Sequence, residues 1–83
     1  MRCPVEAKFR SDLGAIYQQA GRLDEAEVQL RASIGLDAGN SVALNNLAVT
    51  LVSLGKAEDA APVYEEALAV ARRTTSPYSY GPL

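Results

Sequence analysis

The 83-residue chain contains no histidine, no tryptophan, one phenylalanine and one cysteine, Cys3. Without histidine, the commonest acid–base group and transition-metal ligand is missing. A lone cysteine excludes a disulfide within the chain. It reads as a free thiol in a reducing cytoplasm; an intermolecular bond through Cys3 is the sharper alternative. Basic excess is also lacking: 8 Lys+Arg stand against 10 Asp+Glu, a net charge of −2. The basic stripe that a nucleic-acid partner requires is therefore not expected. No apolar run approaches the roughly 18 residues of a membrane span. The opening MRCPVEAKFR has no apolar core of a secretory leader. The expectation is a cytoplasmic chain that meets neither membrane nor nucleic acid.

What is present is apolar content, 48% of residues. That suits a helical globular chain and argues against disorder. The length allows one domain. A domain of this size buries only about 60% of the surface its unfolded chain exposes, so it is marginal alone.

The chain also repeats itself. A shift of 34 residues carries Gly21 onto Gly55, Leu13 onto Leu47, Gly14 onto Ala48 and Tyr17 onto Leu51. Asp24-Glu25-Ala26 falls on Glu58-Asp59-Ala60, and Leu30, Ser33 and Ile34 fall on Tyr64, Ala67 and Leu68. A fixed period of this size is the mark of a solenoid unit. Each unit reads as two helices. In the first, Val5, Phe9, Leu13, Ile16, Tyr17 and Ala20 follow the helical spacing and form the expected buried stripe. Pro4 suits a first helical turn, and Gly21 ends the helix by taking the left-handed backbone conformation. The second helix opens on Asp24, Glu25 and Glu27, where acids complement the helix dipole. It presents Leu23, Ala26, Leu30, Ser33 and Ile34, and GLDAGN, residues 35–40, is the expected break. In the second unit Asn40 or Ser41 caps the first helix. Leu44, Leu47, Ala48, Leu51 and Leu54 form its stripe, and Gly55 ends it. The last helix runs from about Ala57 to Arg73, with Arg72 and Arg73 at its negative end. Pro62 is harmless there only if the helix starts no earlier than about Glu58.

These positions resemble the tetratricopeptide repeat, a helix–turn–helix unit. The match runs through Leu13, Gly14, Tyr17, Ala26, Leu30, Ser33 and Ala38 in the first unit. In the second it runs through Leu44, Leu47, Ala48, Leu51, Ala60, Tyr64, Ala67 and Arg72. Arg10 stands where the first unit's opening bulky residue belongs, and neither unit has the closing proline. The resemblance implies an all-α fragment of an α-solenoid: four antiparallel helices of a superhelix. One domain would cover residues 1–75, with repeats at about 7–40 and 41–74. Residues 76–83, with two prolines and a glycine, read as an extended tail. Gly14, Ala26, Ala48 and Ala60 are small where helices cross, which lets the axes approach to about 8–10 Å.

No catalytic constellation is found, so an enzyme is not expected. Ser11, Ser33, Ser41 and Ser53 have no histidine base. Glu65-Glu66 and Asp24-Glu25 are helix neighbours pointing about 100° apart, which reads as solvated surface. GLDAGN lacks the strand, lysine and hydroxyl residue of a phosphate loop. No cofactor and no metal are expected. The resemblance implies instead a concave surface, lined by the first helix of each unit, that takes a peptide or a partner helix. Its candidates are Lys8, Asp12, Ala15 and Gln19 in the first unit and Asn45, Asn46, Val49 and Ser53 in the second. Asp12 and Asn46, one period apart, would stack along it. Binding of chaperone carboxylate termini is not expected: Ser11 and Ala15 occupy the lysine and asparagine positions of that subset, and only Asn46 fits.

Two repeats are few, since about three are usually needed to bury a continuous core. Val52, Leu54, Val63, Val70 and Leu51 are expected to risk exposure. Three coverings are open: self-association about a two-fold axis, a longer array, or the tail folded back through Tyr78 and Tyr80. The leading expectation is a non-catalytic protein-interaction module that self-associates, most simply as a dimer. The alternative is an assembly unit whose role is its own homo-oligomer. A third possibility, a helical repeat that reads single-stranded RNA, is opposed by the acidic balance and the period.

Overall fold

A computed structural model describes residues 4–74 of the chain. Among them are four helices and no strand: α1 (Pro4–Gln19), α2 (Leu23–Leu36), α3 (Ser41–Ser53) and α4 (Ala57–Thr74). Cys3 and the 76–83 tail lie outside the described residues.

Each hairpin turns on the same device. Gly21 and Gly55 have φ of 82° and 81°. In the first turn the Arg22 amide donates to the Tyr17 carbonyl (2.8 Å) and the Gly21 amide to Gln18 (3.0 Å). In the second, Lys56 donates to Leu51 (2.8 Å) and Gly55 to Val52 (3.0 Å). Both are Schellman closures, in which the left-handed residue lets two amides satisfy carbonyls at the helix end. The following helix then starts at once: the Ala26 amide donates to Arg22 and the Ala60 amide to Lys56.

The resulting hairpins, α1 on α2 and α3 on α4, are joined by α2 against α3, with α1 also touching α3. The core is built of Ala26, Leu30, Ala43, Leu47, Ala48, Leu51 and Ala60, with Tyr17, Ile34 and Val63 packed against it. The small residues expected at the crossings are there: Ala26, Ala48 and Ala60 are buried, as is Gly14.

The buried face of α1 is not the expected stripe. Val5, Phe9, Ile16 and Ala20 are exposed, while Leu13 and Tyr17 are half-buried. Ala7, Ser11 and Gly14 face inward instead. Close approach decides this. The Ser33 hydroxyl donates to the Ala7 carbonyl at 2.6 Å, and Leu30 fills the space beside Gly14. A phenylalanine on that face would hold the helices apart. The buried hydroxyls are all paired: Ser11 with the Lys8 carbonyl at 2.9 Å, Thr50 with Asn46 at 2.8 Å. Each unpaired buried group would cost about 1–3 kcal/mol.

One further expectation changes, and two others are resolved. The break between units is shorter than 35–40, because α2 continues through Leu36. Gly35 is simply helical; the chain leaves the helix at Asp37, whose φ is −150°. There the Asp37 carboxylate accepts the Gly39 amide at 3.1 Å and the Asp37 carbonyl accepts the Asn40 amide. The cap of α3 is Asn40, whose side chain accepts the Ala43 amide at 3.1 Å. As expected, α4 starts at Ala57, and Pro62 lies inside it. Its missing N–H leaves the Glu58 carbonyl without a helical donor; both residues are at the exposed surface, where water can serve.

Of the residues expected at risk of exposure, Leu51 and Val70 are buried and Val52 is exposed, with Leu54 and Val63 half-buried. Leu51 is covered because α3 is sandwiched by elements on both sides: α4 on one, α1 and α2 on the other. No described helix is long and apolar enough to cross a membrane.

Candidate partner-binding face

The first helices of the two units, α1 and α3, lie against each other and carry all eight candidate residues. Lys8 and Asp12 are exposed and bonded to each other, Nζ to Oδ2 at 2.9 Å. An exposed pair of this kind contributes about 0–1 kcal/mol. A ligand amide can therefore compete for the carboxylate. Ala15 and Val49, one period apart, are both half-buried; Gln19 and Ser53, likewise one period apart, are both exposed. Asn46 is half-buried, on the turn of α3 whose carbonyl holds Thr50.

Asn45 is placed differently. It is exposed and lies in an open groove of about 550 Å³ between α3 and α4. Val42, Tyr64, Ala67, Leu68 and Ala71 line the same groove. Tyr64, Ala67 and Leu68 stand at packing positions of the repeat, yet Tyr64 and Leu68 are exposed and Ala67 is half-buried. The signal is in the period: Leu30 and Ile34, the counterparts of Tyr64 and Leu68, pack with α3 of the next unit, and Tyr64 and Leu68 have no next unit among the described helices.

One ion cluster crosses between the units. Glu27 accepts from Arg31 at 2.9 Å on its own helix and from Lys56 at 3.4 Å in the second hairpin turn. The Arg31 hydrogen bond, outweighing partial burial and aided by Lys56, holds the Glu27 carboxyl below its ordinary value. In the first turn Arg22 pairs with Glu25 at 2.6 Å and lies 5.6 Å from the centre of the Tyr17 ring. Among the described residues no group of acidic or cysteine side chains is arranged to hold a metal ion.

No curated protein and no solved structure matches the chain significantly. A tetratricopeptide repeat family model matches residues 6–73. That span takes in all four helices, both glycine turns and every small residue at the crossings. Proteins of this family generally mediate protein–protein interaction and are typically non-catalytic modules. Two hairpins built on one register, closed by the same turn, and matched along nearly their whole length lead to one conclusion: the chain belongs to the tetratricopeptide repeat family.

Proposed function

We propose that this chain is a non-catalytic protein-interaction module that receives a peptide or helix across α1 and α3, and that it self-associates. Its two units would span about residues 7–40 and 41–74 of a single domain, working in the cytoplasm. The observation that carries the reading is the adjacency of α1 and α3 with polar side chains repeated along them: Asp12 and Asn46 one period apart, then Gln19 and Ser53. Short polar side chains at a helical repeat distance suit hydrogen bonding to an extended main chain.

The test is selection from a displayed peptide library with the intact protein, followed by affinity measurement on the Asn46→Ala variant. Loss of about tenfold or more, about 1.4 kcal/mol, with unchanged oligomeric mass, supports the groove. Selected peptides that bind Asn46→Ala and Asp12→Ala as tightly as wild type overturn it. A second reading is an assembly unit whose role is its own oligomer. It is favoured by the exposed apolar side chains Phe9, Ile16, Tyr64 and Leu68. No peptide enrichment from a protein that forms stable oligomers selects this reading.

A further inference from the structure

The two units serve as each other's standard. Every residue of one has a counterpart 34 positions away, so the joint between them states how each face is meant to be covered. At that joint α3 lies on α2 and α1. On the α3 side, Ala43 and Thr50 are 0% exposed. Their counterparts on α1 are Phe9 and Ile16, each 60% exposed. On the α2 side, Leu30 is 0% exposed and Ile34 packs on the core. Their counterparts on α4 are Tyr64 and Leu68, 41% and 53% exposed. The α1 face and the α3–α4 groove are therefore the two unlike halves of one joint, each lacking the other.

Charge changes in two places under this pairing: one opposite-sign pair arises, and one is lost, because Glu27 and Lys56, which bond across the internal joint, have Ala61 and Arg22 as counterparts. In the internal joint, Arg31 and Ile34 of α2 share a cleft with Leu44 and Leu47 of α3 and Pro62 of α4. Moved by one period, that cleft is made by Glu65 and Leu68 on one side. Arg10, Leu13 and Val28 make the other. Leu68 meets Leu13, so the apolar contact is kept. Glu65 meets Arg10, opposite in sign, at the rim where Arg10 already bonds Glu6 and Gln29.

We propose that the occupant of the groove is a second copy of this chain, added head to tail, with the α1 face of one copy on the α3–α4 groove of the next. This rests on the self-association proposed above and alters its symmetry. A two-fold dimer sets like faces together. A head-to-tail contact joins unlike faces and propagates into an open superhelical chain or a ring. The surface of α1 opposite its buried face is apolar for this reason: it continues the interface that α3 makes with the first unit.

The test is light scattering on the full chain from low micromolar to near-millimolar concentration, with Phe9→Asp and Leu68→Asp. Both residues are on the surface of the single copy, so neither change disturbs its core. Wild type is expected to grow beyond a dimer with concentration. Either variant alone is expected to stay a monomer, because a carboxylate buried at an apolar joint is strongly unfavourable. Their equimolar mixture is expected to form a complex of two chains and no more, since one variant keeps a working groove and the other a working α1 face. A wild type that remains monomeric, a variant that still grows, or a mixture that stays monomeric overturns the proposal. A two-fold dimer betrays itself when one substitution abolishes association and the other leaves it intact. Phe9 is not among the partner-face candidates, so peptide binding by the Phe9→Asp variant reports separately on that reading.

Discussion

Leu30 occupies the space that a side chain on Gly14 would need. A Cβ built on Gly14 would lie 2.6 Å from the Leu30 Cγ and 2.8 Å from its Cδ2. Leu30 is fully buried, and the contact is with its branch point, so it cannot swing aside. The α1–α2 crossing is set by this one pairing of nothing against leucine.

Gly14→Leu is expected to destabilise by overpacking, by about 1–3 kcal/mol or more. Gly14→Ala is more finely balanced. It gains about 1 kcal/mol of helix propensity and meets the same clash, so it should lie between neutral and mildly destabilising. The sharper check is a double-mutant cycle. Leu30→Ala alone should cost about 2–5 kcal/mol. Adding Gly14→Ala to it should recover part of that loss, because the new methyl enters vacated space. Additive values in urea denaturation would refute the pairing.

The glycines are predicted to divide by backbone angle. Gly21→Ala and Gly55→Ala should each cost about 1–2 kcal/mol, because both sit at positive φ. Gly35 lies inside α2 with open space around its missing Cβ. Gly35→Ala should therefore stabilise, by up to about 1 kcal/mol. Thermal unfolding of the three variants reads the opposite signs directly. A destabilised Gly35→Ala would mean that α2 ends earlier.

Asn40→Ala should cost about 1 kcal/mol through loss of the bond to the Ala43 amide. Ser41→Ala should leave stability nearly unchanged, since Ser41 is already the first residue of α3. Equal effects at the two positions would show that the cap is misassigned.

Glu27 makes stability depend on pH with a definite sign. Its carboxyl is held low by Arg31 first and Lys56 second. A carboxyl depressed on folding adds stability that is full above the unfolded value, near 4.5, and is lost as pH falls through the folded value. Glu27→Gln should therefore lower stability at neutral pH, by about 0.2–1 kcal/mol for partners this exposed. The difference from wild type should vanish at acid pH. A gap between the two urea midpoints that is constant from neutral to acid pH would contradict this.

The hairpins were legible because their determinants are local. Gly21 and Gly55 stop helices through their own φ, and Asn40 caps through a neighbour three residues on. The period alone paired the small residues with their crossings. The inward face of α1 was not legible. Counting apolar residues put Val5, Phe9 and Ile16 inside, and the packed structure puts Ala7, Ser11 and Gly14 there. Apolar character says that a side chain prefers burial. It does not say against which neighbour, in this copy or another.

The partner face was legible only as a set of residues sharing a helix face. Whether Asn45 joins Asn46 depends on where α4 lies, and α4 leaves Asn45 at the mouth of a groove. Residue order alone carries the number of units, their register, both turns and the lack of any chemistry that needs a histidine. Packing between helices sets which face of α1 is buried, how far α2 runs, and that Tyr64 and Leu68 are surface. The reason is range. Turns and caps are settled by bonds across three to five residues. Burial is settled by which helices meet, and here that follows from the close approach permitted by one missing side chain at Gly14.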